Sequence, residues 1–491
     1  MEMKNAKKIK LMYPSSALFQ RGEDRCQSNI DSSTATTVRA CNDLGYAAAV
    51  LQQGGYTVSL TDYQTEGFSK QEMLQDLAQY RPDFIMLSTT NATIYQDLDI
   101  VNEIKKIIPD TVIALKGAIF FDPADEVLNC LDLNNVEYLI GGEEEFIIAK
   151  LVTAHFYDKA SLSKVDGIIY KNNNRFIKTD FSSWDDNLDA LPFPLRSLMN
   201  NRLYFRPDTK EVQATITTSR GCPSNCIFCL TPVISGRKLR LRSPQNVFEE
   251  IQECYHTYGI RNFFFKADTF TYNKTWTIEL CKLIVASDLY QKISWVANSR
   301  VNPIDEETLA FMKKAGCWLV AFGFESGSQR SLEKMQKGTT VEQNIRAAKL
   351  AHKVGLKIFG FYLIGFPWED ESDLKATKKM IYQINADFIE LHIATPFYGT
   401  KLYNMVKEAD LIDQSVLGKD YFNTPTKGTK YLSIRELQCF RAKLLLQYHL
   451  RVSYILAKLG ACLHHPKILK EYFIFGWRLI KNSVRSLLGD R

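Results

Sequence analysis

Val212-Gln-Ala-Thr-Ile-Thr-Thr-Ser-Arg-Gly-Cys222-Pro-Ser-Asn-Cys226-Ile-Phe-Cys229 decides how the rest of this chain is read. Val212–Thr218 is rich in β-branched residues and reads as a strand. Gly221 permits a sharp exit from it. Three cysteines then fall within eight residues, separated by three residues and then two. Such spacing lets one short loop wrap a cubane iron–sulfur cluster, with Cys222, Cys226 and Cys229 each taking one iron. The fourth iron stays open to a ligand that brings its own amino and carboxylate groups. Phe228, between the last two cysteines, stands where it would shield the site or pack on a bound adenine.

Two other metal readings compete. Structural zinc demands four ligands. A closed electron-transfer cluster demands a fourth cysteine. The nearest further donors, Cys254 and His256, lie together on a predicted helix well after the loop.

Working outward, residues 209–411 contain six strand–helix units. The strands are expected at Val212–Thr218, Phe263–Asp268, Ile293–Arg300, Leu319–Ser326, Ile358–Gly365 and Phe388–Pro396. Six units predict an open, partial (β/α)6 TIM-like barrel, whose working face is the carboxyl end of its strands. The first helix carries Ser243 as N-cap, Pro244 at its first position and Gly259 as its stop.

Residues 1–155 also alternate strands and helices, which indicates a parallel, doubly wound sheet. Its strands are expected at Lys8–Pro14, Tyr56–Leu60, Asp83–Ser88, Thr111–Lys116 and Val136–Gly141, and a helix is expected over 36–53. Ligands of such sheets sit beyond the carboxyl ends of the strands. Those ends carry Ser15, Ser88, Thr89, Gly117, Gly141 and Gly142, residue types that ordinary turns also use. Residues 156–208 break the rhythm with a hairpin around Asn172–Asn174 and a stiff Leu191-Pro-Phe-Pro-Leu195 connector, so a linker is placed there. Residues 412–491 show helical patterns only.

The cysteine loop, with an aromatic residue before its last cysteine, resembles the radical S-adenosylmethionine (SAM) superfamily. Phe322-Gly-Phe-Glu-Ser-Gly-Ser-Gln329, Gly365-Phe-Pro-Trp368 and Thr395-Pro-Phe-Tyr-Gly-Thr400 resemble its fourth, fifth and sixth strand ends, in order. The resemblance implies a [4Fe-4S] cluster on the three cysteines, with SAM contacts from Phe228, Asn298, Arg300, Glu325 and Ser326. It also implies SAM cleavage to a 5′-deoxyadenosyl radical and an external electron donor such as flavodoxin or ferredoxin.

The domain over 1–155 is similar to the cobalamin-binding domain of cobalamin-dependent radical enzymes. Asp62-Tyr-Gln-Thr-Glu-Gly67 keeps the frame of that domain's Asp-x-His-x-x-Gly motif, with Gln64 where the histidine stands. A glutamine amide is a poor cobalt ligand beside imidazole. Cobalamin bound without a protein ligand, or a domain that has lost it, both remain open. Implied cobalamin contacts are Ser15, Gln64, Ser88, Thr89, Gly117, Gly141 and Gly142. The implied reaction is methylation of an unactivated carbon of a small or lipid-like substrate. Oxidative cyclisation or rearrangement is the alternative. Methylthiolating relatives carry three more cysteines in this domain, whereas this chain has only the widely spaced Cys26, Cys41 and Cys130 there.

Composition sets the class. With 45% hydrophobic and 24% charged residues the 491-residue chain is globular. The N-terminus has no signal-peptide apolar core, so the cytoplasm is expected, and the eight scattered cysteines read as small buried hydrophobes. The net charge of +6 is uneven: residues 431–491 hold eleven Lys/Arg against three Asp/Glu. Nucleic acid is not expected as a partner. Tyr472-Phe-Ile-Phe-Gly-Trp-Arg-Leu-Ile-Lys481 is aromatic and basic, so peripheral membrane contact by C-terminal helices competes with a helix that simply closes the barrel.

Overall fold

The computed structural model describes residues 7–21, 29–30, 38–173, 175–413, 415–420, 424–464 and 468–488. Cys26, Asn174 and the first two residues of the helix expected over 36–53 lie outside them.

Two sheets organise the chain. The first has seven strands: β1 (Lys8–Tyr13), β2 (Thr57–Asp62), β3 (Phe84–Ser88), β4 (Val112–Lys116), β5 (Tyr138–Ile140), β6 (Ile168–Asn172) and β7 (Arg175–Lys178). Their spatial order is β2-β1-β3-β4-β5-β6-β7. The first five are parallel; β3, β4 and β5 are near-continuous apolar runs buried on both faces, whereas the edge strand β2 is partly exposed. The order reverses between β1 and β3, which makes their carboxyl ends the topological switch point. The hairpin expected in the linker, β6–β7, instead pairs antiparallel onto β5 and forms the edge of this sheet. Burial decides this: Ile168 and Ile169 are fully buried there.

After β8 (Gln213–Thr217) come two short strands, β9 (Ser219–Arg220) and β10 (Arg240–Leu241). The second large sheet continues through β11 (Asn262–Lys266), β12 (Ser294–Ser299), β13 (Cys317–Glu325), β14 (Lys357–Ile364) and β15 (Phe388–Ile393). Its order, β15-β14-β13-β12-β11-β8, is all parallel and matches the six expected units. The helix Pro244–Tyr258 begins and ends as its sequence punctuation predicts. Ser243 Oγ accepts from the Asn246 N–H, and Gly259 stops the helix at φ +68°.

The prolyl connector is not a free linker. Leu195 N–H donates to the Gly45 carbonyl, and a Cβ on Gly45 would stand 2.9 Å from Pro194 Cβ. Arg196 is buried against Glu250, and Tyr204 Oη lies 2.9 Å from Asp62 Oδ2. The connector is thus a strap clamped between the two halves. The scattered cysteines are mostly buried, as expected, but Cys130 is exposed and Cys439 half-buried. Three helices close the C-terminal region: Ile434–His449, Val452–His464 and Ile468–Leu488.

Candidate active site at the barrel mouth

β9 and β10 pair antiparallel, so the loop between them leaves and re-enters at one point. Gly221 makes the exit at φ +79°, and a Cβ there would sit 2.1 Å from the Lys238 carbonyl oxygen. Only glycine fits. Cys222 N–H donates to Gly236 O, and Ile227 N–H to Met335 O, which fastens the loop to the barrel end. Among the described residues no three His, Cys, Asp or Glu side chains gather as a single metal ion would require. Three thiols that each take a different iron of a cubane need no such common point, so their chemistry suits a cluster. Cys254 is fully buried in the barrel core, and His256 faces solvent beside Asp288, so neither is a fourth ligand.

The three cysteines open on one cavity of about 700 Å³, which Phe228, Asn298, Arg300 and Glu325 also line. That volume lies within the roughly 300–1,000 Å³ of small-molecule sites. Phe228 packs edge-on to Phe366 at 5.9 Å. Arg300 Nη1 is 3.5 Å from Cys226 Sγ, and its Nη2 donates to the Lys337 carbonyl. Glu325 is held left-handed at φ +61°, a sparsely populated backbone state for a non-glycine residue. Its carboxylate meets Lys337 Nζ at 2.6 Å. A Cβ on Gly323 would come within 2.5 Å of Glu325 Oε1 and 2.9 Å of Lys337 Nζ, so that glycine leaves room for the charged pair.

Ser326 is not part of this cavity. It is fully buried, with its Oγ 3.1 Å from Thr377 Oγ1, because the strand alternation that sends Glu325 inward sends Ser326 outward. Lys337 went unnoticed in the sequence, where nothing marks it. Glu390 and His392, 3.5 Å apart, also line the cavity. Their signal was present: Phe388-Ile-Glu-Leu-His-Ile393 alternates, and polar residues at every second position of a barrel strand share one face.

The first sheet uses its expected residues differently. Asp62 caps the one-turn helix Tyr63–Glu66 by accepting from the Thr65 N–H, and Gly67 ends it at φ +76°. That punctuation alone explains the Asp62…Gly67 frame. Gln64 is buried within hydrogen-bond reach of Ser16, Phe19 and Arg21. Ser15 donates to the Phe68 carbonyl, and Thr89 to Asp97. Ser88 supplies its carbonyl to Arg21, whose guanidinium also grips Asp97 within the switch point. These four therefore hold the first sheet together and do not face the large cavity.

Gly117, Gly141 and Gly142 line a separate polar cavity of about 40 Å³ with Asp43, Lys116 and Glu144. Burial pushes the Glu144 carboxyl up to about 8, against the pull of Lys116. A Cβ on Gly141 would be 2.1 Å from the Phe120 carbonyl oxygen, so this glycine serves chain packing. The first half reaches the large cavity through Gln20, Ile30, Val38 and Arg39 instead, with the Arg39 guanidinium 3.8 Å over the Phe264 ring.

The model of the radical SAM superfamily matches residues 216–381. An uncharacterised methyltransferase of Pyrococcus horikoshii is 30% identical over 448 residues, covering 91% of this chain and 92% of that one. An anaerobic magnesium-protoporphyrin IX monomethyl ester cyclase of Cereibacter sphaeroides is 25% identical over 400 residues, covering 80% and 64%. The cobalamin-dependent SAM radical enzyme OxsB, solved with aqua-cobalamin and SAM bound, shares the fold. Its TM-score is 0.73 at 17% identity, covering 98% of this chain and 72% of that one. With the cysteine loop at the mouth of a six-stranded parallel barrel behind a doubly wound sheet, this chain belongs to the radical SAM superfamily of [4Fe-4S] enzymes.

Proposed function

We propose that this chain is a cobalamin-dependent radical SAM methyltransferase acting on an unactivated carbon of a small or lipid-like substrate. One observation carries the reading: a single cavity runs from the three cysteines to Gln20, Ile30, Val38 and Arg39 of the first half. A cluster, SAM and a second cofactor would thereby share one space. Cys222, Cys226 and Cys229 would hold the cluster. Glu325 and Lys337 offer a carboxylate and an ammonium 2.6 Å apart, the complement of an amino acid's own two charges. Phe228 offers a ring face to adenine, and Asn298 a polar edge at the end of β12.

When bound, the cluster supplies the electron that cleaves SAM, and cobalamin supplies the methyl group. The chain's own residues orient and shield. Arg300, with Nη1 3.5 Å from Cys226 Sγ, would donate to that sulfur when it ligates iron, and the apolar barrel wall would keep water from a reactive radical. Position 64 supplies no cobalt ligand, because the Gln64 amide is committed to residues 16–21. Cobalamin would lie against Gln20, Ile30, Val38 and Arg39 without one.

Methyl transfer is favoured by the Pyrococcus relative, which is named a methyltransferase and spans nearly the whole chain. The cyclase relative supports oxidative cyclisation as the second reading. The test is anaerobic reconstitution with iron, sulfide and hydroxocobalamin, followed by SAM and a low-potential reductant. Both 5′-deoxyadenosine and S-adenosylhomocysteine are expected, with a corrinoid band in the visible spectrum. Absence of 5′-deoxyadenosine sinks the radical reading. Its formation without S-adenosylhomocysteine leaves cyclisation. A chain that retains no corrinoid refutes cobalamin dependence.

A further inference from the structure

Of the eighteen large hydrophobic side chains that stand exposed among the described residues, twelve lie in 450–488. On the helix Val452–His464 they form one stripe: Val452, Ile455, Leu456, Leu459 and Leu463. On Ile468–Leu488 they form a second: Leu469, Phe473, Trp477, Ile480, Val484 and Leu488. Each follows the 3.6-residue period, so each is a single face. The opposite side of the second helix, with Ile468, Leu479 and Ser483, is buried. An apolar face therefore remains after this helix has already met the core. Exposed apolar surface in so continuous a form marks an interaction site.

The charge on this helix is arranged around the stripe. Lys470, Lys481 and Arg485 are exposed, and the helical period places them along one flank of it. The helix's acidic residue among those described, Glu471, is turned away and paired with Lys210 at 3.1 Å. An apolar stripe with Trp and Phe, flanked by cations, matches an anionic lipid surface. A second copy of this chain fits poorly, because pairing two such faces brings like charges together. None of the described helices is long and apolar enough to cross a membrane, so the contact is peripheral.

The same face borders the large cavity. Ile455, Leu459, Leu469, Phe473 and Ile480 are both exposed and cavity-lining, so the opening is rimmed by the stripes themselves. Inside, Phe264, Trp318, Phe359, Phe361 and Phe388 make an aromatic wall. We propose that the two C-terminal helices dock this chain on an anionic bilayer, and that the cavity takes an amphiphilic substrate with an apolar body from that bilayer through the opening between them. The docking half stands on the surface alone. The substrate half rests on the reading of the cavity as the active site.

The test uses the full, reconstituted chain in flotation with vesicles of phosphatidylcholine alone or mixed with phosphatidylglycerol. Co-flotation with the mixed vesicles at low salt is expected, with weaker binding to phosphatidylcholine alone and partial release by added salt. Brominated lipids should quench Trp477. The triple variant Leu456→Ser, Trp477→Ser, Leu488→Ser changes only exposed side chains outside the cavity. It should bind mixed vesicles at least tenfold more weakly and still form 5′-deoxyadenosine. A wild-type chain that stays with the soluble fraction at low salt overturns the docking face. So does a wild-type dimer that the triple variant splits while vesicle binding is unchanged.

For entry, a Cβ on Gly476 meets nothing within 4 Å. Gly476→Phe should therefore fill the opening, keeping flotation while cutting uptake of a pyrene-labelled fatty acid at least fivefold. Unchanged uptake overturns the entry route. Vesicle binding by a chain that forms no 5′-deoxyadenosine upholds the docking face and sinks the reading of the site instead.

Discussion

At Gly323 the absence of one carbon decides a charge arrangement. The strand β13 must bring Glu325 inward and leave room for Lys337, and any side chain at 323 would occupy that space. Gly323→Ala is expected to displace the Glu325 carboxylate while leaving the barrel folded. The dissociation constant for SAM should rise tenfold or more, about 1.4 kcal/mol. Calorimetric titration of the reconstituted chain measures it, and an unchanged constant removes Glu325 from the site. Gly221 belongs to the same class, since its positive φ and the nearby Lys238 carbonyl admit no side chain. The sequence marked Gly221 through its place between strand and cysteines. Gly323 could not be singled out, because the atoms it avoids, Glu325 Oε1 and Lys337 Nζ, are brought together only by the ion pair between Glu325 and Lys337, twelve residues apart.

Among elements, the strap, β8 and the helix Pro244–Tyr258 meet at one buried carboxylate. Glu250 is fully buried, 2.5 Å from Arg196 of the strap and paired also with Arg242. Arg196 donates to the Thr215 carbonyl of β8 as well. Removing the anion would strand two buried guanidinium groups. Glu250→Ala should lower the unfolding free energy by about 3–5 kcal/mol. A urea titration of the aerobically purified protein would show this, and a midpoint unchanged from wild type would contradict it. A second clasp joins the first sheet to the cysteine loop: Arg240 grips Glu143 at 2.6 Å and 2.9 Å, and Arg220 reaches Glu143 and Glu145. The base of the cysteine loop is thus tied to the domain in front of it.

For the whole molecule, the seam between the halves sets a pH dependence. Burial raises the Asp62 carboxyl from 3.8 to about 6, against hydrogen bonds from Thr65 and Tyr204. Between pH 4 and 6 the folded chain keeps this proton and the unfolded chain has lost it. Unfolding then releases a proton, so stability falls as pH rises through that window, by on the order of 3 kcal/mol in all. Above pH 6 this contribution is gone. Asp62→Asn should flatten that segment of the profile of unfolding free energy against pH. An identical slope in the variant would assign the effect to another group. The exposed stripes of the C-terminal helices belong to this scale too, since they border a cavity whose walls come from both halves of the chain.

The sequence by itself determined the class of the molecule. Its periodicities placed the strands of both parallel sheets to within three residues at either end, because strand and helix patterns are local. The cysteine spacing singled out the candidate cluster loop, since a loop of eight residues must serve one site. It also put Asn298, Arg300 and Glu325 at strand ends that converge. Tertiary structure alone decided the rest. It turned Ser326 away from the cavity, moved the hairpin onto the first sheet and committed Gln64 to residues 16–21. It also brought Lys337, Glu390 and His392 into the cavity that the cysteines line, and opened the C-terminal face beside it. Each of these depends on which distant side chain fills a given space, and packing between remote segments leaves no mark in local sequence order.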